Sequence, residues 1–92
     1  IAPATADFMA RLAHGRAEGL LDALVLSTRA RVAVCPAMDA DMWAHAATRA
    51  NANTLKDYGY ELCGPAKGEL ASGKVGFGRL LEPDEIVRRA LG

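Results

Sequence analysis

VAVCPAMDADMW, residues 32–43, joins a short apolar run to a polar loop with two methionines, one tryptophan and two carboxylates. The apolar run is continuous rather than alternating, which is typical of a strand buried on both faces of a parallel sheet. Pro36 ends this strand, so the loop lies at the sheet's carboxyl edge, where open α/β sheets bind ligands. Met thioethers pack well against flat aromatic faces, so Met38 and Met42 suit a heteroaromatic ligand. The alternative is an ordinary connection whose methionines and tryptophan fill core.

Helical and strand-like patterns alternate on both sides of this stretch. Apolar spacing and capping residues predict helices over residues 6–14, 17–27, 44–58 and 83–91, and strands over residues 31–35 and 60–63. In the second helix, Leu20, Leu21, Leu24 and Val25 form the expected buried face. Such alternation predicts an α/β fold, with a parallel sheet covered by helices on both faces.

Composition limits the classes of function. The chain has 92 residues, 51% of them apolar, which suits one small domain. Eleven basic and eleven acidic residues balance, so the charge expected of a nucleic-acid binder is missing. No apolar run approaches the ~20 residues that span a membrane, so we expect no membrane partner. Cys35 and Cys63 are interpreted as buried reduced thiols of a cytoplasmic protein, with a disulfide between the two strand ends as the alternative. No Cys/His spacing indicates a metal site.

The first seven residues, IAPATAD, resemble the end of a strand followed by its loop. A terminus at a buried strand tip would leave sheet partners unpaired. We therefore expect residues 1–92 to be the carboxyl-terminal part of one larger domain whose amino-terminal part is supplied elsewhere.

A glycine-rich stretch covers residues 68–79 and predicts a loop or a hairpin flap. Its Gly-x-x-x-x-Gly-Lys pattern is not interpreted as a phosphate loop, because Val75 stands where a Mg²⁺-binding Ser or Thr belongs.

Three segments together resemble one family. Residues 2–7 are similar to an "APxSAN" or "APATAD" flavin loop, residues 36–43 to a "PxMNxxMW" signature, and residues 69–83 to an "ACGxxGxGRMxEP" substrate flap. In this order they identify the chain as a member of the homo-oligomeric flavin-containing cysteine decarboxylases. The resemblance covers the whole chain and is nearest to members that act on 4′-phosphopantothenoylcysteine.

This resemblance implies a flavodoxin-like (Rossmann-like) three-layer domain and an FMN-dependent lyase. The implied reaction is decarboxylation of 4′-phosphopantothenoylcysteine to 4′-phosphopantetheine in coenzyme A biosynthesis. Flavin supplies the redox chemistry, and the protein supplies position and electrostatics. Family members are homotrimers or trimer-based dodecamers with sites at subunit boundaries.

The resemblance also assigns residues. Those implied to contact the cofactor are Pro3, Ala4, Thr5, Asp7 and Met38. Those implied to contact substrate are Asp39, Met42, Ala71, Ser72, Gly73 and Arg79, with Asp39 and Ser72 as the catalytic pair.

Two replacements depart from the family pattern. Asp39 stands where the family has an Asn that holds the substrate carboxylate, and a second carboxylate there repels it unless protonated or paired. Ser72 replaces a redox-linked Cys, and a hydroxyl is a far weaker acid. We interpret the pair as a variant of the same activity. The alternatives are a peptidyl-cysteine decarboxylase that stops at the enethiol, and a non-catalytic flavoprotein-like subunit.

The family's catalytic His has no counterpart in these residues. His14 and His45 do not match its position and are interpreted as surface or capping residues. The 92 residues alone are therefore expected neither to bind FMN tightly nor to turn over substrate.

Overall fold

The computed structural model describes residues 1–69 and 75–92. In these residues the elements are α1 (Ala6–Ala13), α2 (Leu20–Ser27), β1 (Ala33–Val34), α3 (Ala40–Ala44), α4 (Ala46–Asp57), β2 (Glu61–Leu62), β3 (Ala66–Glu69), β4 (Val75–Arg79) and α5 (Pro83–Leu91). The predicted alternation is confirmed, with shorter strands than expected from residues 31–35 and 60–63. None of the described helices is long and apolar enough to cross a membrane.

The parallel sheet is built around β1. Strand β2 runs parallel to it, with Val34 opposite Leu62. On the other side, the Cys35 N–H donates to the Ile1 carbonyl at 2.8 Å and the Ala4 N–H donates to the Cys35 carbonyl at 2.8 Å. The first four residues therefore lie beside β1, with a parallel bridge between Ala4 and Pro36, although the sequence predicts a strand end only at residue 1 and a loop after it.

Helices α1 and α4 pack together against one face of this sheet. The Thr5 side chain caps α1, because its Oγ1 accepts from the Phe8 N–H at 3.1 Å. Met9 and Leu12 of α1 and Leu55 of α4 are fully buried and form the centre of the core. Burial of such side chains stabilises a fold by about 1.5–3 kcal/mol each.

The predicted face of α2 is wrong. The helix begins at Leu20, three residues later than expected, and Gly19 is its extended N-cap. Leu20 and Leu24 are 87% and 60% exposed, whereas Val25 is buried. From this start, α2 turns Asp22 and Val25 inward. The buried Asp22 carboxylate accepts from Arg11 Nη1 at 2.8 Å, so an ion pair anchors this helix to α1.

The helix predicted over residues 44–58 is confirmed as α4, Ala46–Asp57. A short helix, α3, precedes it in the stretch expected to be a loop, and His45 separates the two with an extended conformation, φ −61° and ψ 139°. Its Nδ1 accepts from the Ala47 N–H at 3.0 Å and so caps α4. His45 is therefore a capping residue, as expected, and its capping geometry is the reason for the break.

Strands β3 and β4 form an antiparallel hairpin, so the predicted flap is confirmed as a hairpin within the described residues. Its register shifts between Ala66 and Lys67, where Ala66 pairs with Arg79 and Lys67 pairs with Phe77. The extra residue, Gly78, forms a bulge that re-aims β4. This bulge lies against the loop that follows β1.

Candidate functional site

Backbone hydrogen bonds bring the three sequence motifs together at the loop after β1. The Ala37 N–H donates to the Ala4 carbonyl at 3.1 Å, which joins this loop to the first segment. The Met38 N–H donates to the Gly78 carbonyl at 2.7 Å, which joins it to the hairpin. Segments at the two ends of the chain thus meet at the carboxyl edge of the sheet.

The first segment is fixed by its backbone and presents small side chains. Ala4 is fully buried, and its N–H and carbonyl are both used in the sheet. On either side, Pro3 and Thr5 are exposed. Asp7 is exposed in the first turn of α1, with its carboxylate 3.3 Å from Arg11 Nε. Of the residues assigned to the cofactor, Pro3, Thr5 and Asp7 thus have accessible side chains, whereas Ala4 contributes its backbone.

The loop after β1 serves both core and surface. Met38 and Trp43 are half-buried and pack against the core, as the core-filling alternative expects. By contrast, Met42 is 50% exposed. Asp39 is half-buried at the N-cap of α3. This loop therefore combines an anchored side chain, Met38, with the polar Asp39 and the exposed Met42.

Glycine is required at the contact between hairpin and loop. Gly78 has φ +147°, and a Cβ there would lie 2.0 Å from the Met38 carbonyl oxygen. A Cβ on Gly76 would lie 3.1 Å from the Ala40 Cβ. The two backbones approach so closely that no other residue fits at position 78.

Arg79 lies across the hairpin. A Cβ on Gly68 would lie 2.9 Å from the Arg79 Cδ, so that glycine makes room for the arginine side chain. Arg79 Nη2 donates to Glu82 Oε1 at 3.2 Å. The remaining assigned flap residues, Ala71, Ser72 and Gly73, lie outside the described residues.

A cavity of about 390 Å³ lies beside α3 and α4. Its lining residues are Asp41, Met42, His45 and Thr48. Of these, the sequence assignment included Met42 alone. Residues 41, 45 and 48 lie on α3, on the break between the helices and on α4. Sequence spacing did not reveal this group, because the break at His45 brings it together.

The described residues contain no group of three or more His, Cys, Asp or Glu side chains that could hold a metal ion.

This fold and its three converging motifs define a flavin-type α/β domain, and comparison with known proteins agrees. The family model described as Flavoprotein matches residues 1–91, so the chain belongs to this family. The predicted family is therefore confirmed.

Two relatives show the range of named activities. The chain is 53% identical over 87 residues to the coenzyme A biosynthesis bifunctional protein CoaBC of Vibrio vulnificus, covering 95% of this chain and 22% of that protein. It is 48% identical over 91 residues to a cysteine/cysteine sulfinic acid decarboxylase of an unknown prokaryotic organism, covering 99% and 25%. The chain spans about a fifth to a quarter of these relatives' length.

Solved structures confirm the predicted flavodoxin-like fold. A cysteine-to-serine mutant of PPC decarboxylase in complex with pantothenoylaminoethenethiol superposes with a TM-score of 0.95 at 31% identity, covering 99% of this chain and 51% of that one. The FMN-dependent cysteine decarboxylase SpaF has a TM-score of 0.79 at 33% identity, covering 99% and 48%. The chain thus spans about half of these neighbours.

Proposed function

We propose that this chain forms part of an FMN-dependent decarboxylase that converts 4′-phosphopantothenoylcysteine to 4′-phosphopantetheine in coenzyme A biosynthesis. The observation that carries this proposal is the convergence of the first segment, the Met38 loop and the Gly78 bulge at one sheet edge. The CoaBC relatives and the PPC decarboxylase neighbour support the choice of substrate.

The described residues fit a flat cofactor. Pro3 and Thr5 are small and exposed beside a backbone that is locked into the sheet. Met38 lies next to them, since its neighbour Ala37 is bonded to Ala4. In this proposal Pro3, Thr5, Asp7 and Met38 hold the FMN, and Ala4 sets the backbone beneath it. When bound, FMN accepts and returns the electrons of the thiol oxidation that makes loss of CO₂ easy.

Asp39 is proposed to hold the substrate carboxylate. Two carboxylates at hydrogen-bonding distance repel unless one is protonated or a cation lies between them. Asp39 has an interaction partner in the structure, which is a condition for holding its side chain in place. The proposed role requires either a protonated Asp39, whose O–H donates a hydrogen bond to the substrate carboxylate as an Asn amide would, or a cation between the two carboxylates.

The hairpin is proposed to close over the substrate. Arg79, 50% exposed at its side chain, supplies a cation on the hairpin's surface. Its ion pair with Glu82 orients the guanidinium without burying it. Ser72 is proposed to occupy the position of the family's cysteine, and Ala71 and Gly73 to flank the substrate beside it.

Assembly and location complete the proposal. We propose a homotrimer or a trimer-based dodecamer, because the family resemblance implies sites at subunit boundaries. A cytoplasmic location is proposed from the metabolic role and from the two free, buried thiols. No nucleic-acid partner is proposed, because the chain carries no net charge.

The test is turnover on 4′-phosphopantothenoylcysteine by the full-length protein that contains these 92 residues, purified with FMN, with mass analysis of the product. The expected product has lost CO₂ and carries a saturated thiol. An enethiol product supports the peptidyl-cysteine alternative, which a peptide ending in cysteine then tests. Absence of CO₂ loss with either substrate, in protein that lacks a flavin absorbance band, supports the non-catalytic alternative.

A second candidate is decarboxylation of free cysteine or cysteine sulfinic acid, which the relative at 48% identity favours. Both amino acids share the carboxylate and the sulfur but lack the pantothenoyl arm. A specificity ratio, kcat/KM for 4′-phosphopantothenoylcysteine over that for cysteine, separates the candidates. A ratio below one contradicts the leading proposal.

Variants of the loop test the role of Asp39. Asp39→Asn restores the family's residue and is expected to retain turnover, whereas Asp39→Ala is expected to raise KM. Asp57→Asn, on the exposed end of α4, is the matched control. Equal kinetics of Asp39→Ala and the control would contradict contact with substrate.

A further inference from the structure

Cys35 and Cys63 lie side by side at the ends of the two parallel strands. The register that pairs Val34 with Leu62 places them opposite each other, and the Cys63 N–H donates to the Val34 carbonyl at 2.9 Å. Both thiols are free, and the two residues are 2% and 1% exposed. The roles proposed above use neither residue.

The two side chains share one face of the sheet. Val34 and Leu62 belong to the core cluster on the α1–α4 face, and successive side chains along a strand point to opposite faces. Cys35 and Cys63 therefore both point to the other face of the sheet. Neighbouring strands are ~4.8 Å apart, within the ~4.4–6.8 Å Cα separation that a disulfide bridges.

A cation lies near the two sulfurs. The positive charge of the Arg89 guanidinium, on α5, interacts with both Cys35 and Cys63. Glu85 holds it there, since Arg89 Nε donates to Glu85 Oε1 at 2.9 Å. Burial raises the pKa of Cys35, and the neighbouring Cys63 raises it further. The Arg89 charge opposes this rise, because it favours the Cys35 thiolate.

We propose that Cys35 and Cys63 are a dithiol oxidation site that a small peroxide converts to an intramolecular disulfide. The sulfur of one thiol attacks one peroxide oxygen and the O–O bond breaks, which gives a sulfenic acid and one water. The sulfur of the second thiol then attacks the sulfur of the sulfenic acid. The S–O bond breaks and the hydroxide leaves with the second thiol's proton as a second water. The two thiols lose two electrons and hydrogen peroxide gains them.

The position of this bond couples it to the candidate site. Cys35 directly precedes Pro36, which opens the Met38 loop, and Cys63 directly precedes Gly64, which leads into the hairpin. A disulfide would tie the bases of both segments together. The inference does not depend on the proposed substrate, because it rests on the strands alone.

Peptide mapping of the full chain after exposure to hydrogen peroxide tests the proposal. After removal of peroxide and alkylation of free thiols, trypsin releases residues 32–49 with Cys35 and residues 57–67 with Cys63. The expected product is these two peptides joined, lighter by two hydrogens and separated by a reductant. Two alkylated, unjoined peptides from folded protein would overturn the proposal.

Single variants test the need for both thiols. In Cys35→Ala and in Cys63→Ala, a sulfenic acid on the remaining cysteine has no thiol to resolve it and is expected to be trapped by dimedone. Absence of dimedone labelling in both folded variants would contradict the sulfenic acid step. Cys→Ser variants repeat the test where an Ala variant fails to fold.

Arg89→Gln tests the cation. Cross-linking is expected to slow severalfold while its product stays the same. Arg88→Gln is the matched control, because Arg88 Nε also donates to Glu85, at 3.0 Å. If the effect comes only from loss of an ion pair with Glu85, Arg88→Gln and Arg89→Gln will slow cross-linking equally. This result would overturn the role of Arg89.

Discussion

The two sides of the candidate site are built in different ways. The floor, residues 1–5 and 33–38, is hydrogen-bonded into the parallel sheet. In it, Ala4, Val34 and Cys35 are almost fully buried. The flap, strands β3 and β4, forms its own two-stranded sheet, with Val75 and Phe77 72% and 55% exposed. Core packing holds the floor, whereas close backbone approach at glycine holds the flap.

This difference separates stability from function. A flap with few buried apolar side chains contributes little to the free energy of unfolding and can open locally. A floor whose backbone lies inside the sheet keeps a fixed shape until the domain unfolds. Substitutions in the two regions are therefore expected to change different measured quantities.

The largest expected effect is on the floor's support. Leu12→Ala removes a fully buried side chain of α1 beneath the floor and is expected to lower the free energy of unfolding by about 3 kcal/mol. Urea unfolding of the full chain measures it. Leu24→Ala, at a 60% exposed position on α2, is the control and should change stability by less than about 0.5 kcal/mol. Equal losses would contradict the exposure of α2.

The second-largest effect is expected at the contact between floor and flap, where Met38 bonds to Gly78. Gly78→Ala places a Cβ against the Met38 carbonyl and adds roughly 1–2 kcal/mol of backbone strain. The Met38–Gly78 hydrogen bond is expected to open, so hydrogen exchange at the Met38 amide should quicken and kcat/KM should fall at least about tenfold.

Gly59→Ala is the matched control for this contact. Gly59 also has positive φ, +95°, but a Cβ there meets nothing within 4 Å. It should carry similar strain without faster exchange at Met38. If the Met38 amide stays protected from hydrogen exchange in both variants, the contact assigned to Gly78 is wrong.

A smaller effect concerns the first segment. Thr5→Ala removes the N-cap of α1 and should cost about 1 kcal/mol in unfolding free energy. FMN affinity is expected to fall with it, because Thr5 is also proposed to face the cofactor. Thr28→Ala, whose side chain accepts only within an exposed turn, is the control. An unchanged melting temperature for Thr5→Ala would rule out the cap as a support of the floor.

The smallest effect is on the flap's surface. Phe77→Ala should change stability by about 0.5 kcal/mol or less, since the ring is 55% exposed. Phe8→Ala, at 7% exposure in α1, should cost about 3–5 kcal/mol. Similar losses for the two phenylalanines would show that the flap shares the core.

Local signals accounted for much of the fold. The cap at Thr5, the stop at Gly15 and the first turn at Pro83 were readable because each depends on neighbours within four residues. The alternation of apolar patterns likewise predicted a parallel sheet. The buried face of α2 was predicted wrongly because hydrophobicity alone does not show which side of a leucine-rich helix packs against the core. The ion pair of Asp22 with Arg11 turns Asp22 inward and leaves Leu24 exposed.

The candidate site divided in the same way. Its motifs were visible in the sequence, and so was their order. The His45 break, the cavity beside Met42 and the Gly78 contact were not, because each depends on backbone positions brought together by packing.

By itself, the sequence determined the family, the element types and the three motifs, since these follow from residue identity and short-range spacing. Only the tertiary structure decided that Ala37 bonds Ala4, that Met38 bonds Gly78, and that Cys35 lies beside Cys63. Those pairs are separated by 28 to 40 positions in the chain, and only strand register and the packing of the hairpin against the loop bring their atoms into contact.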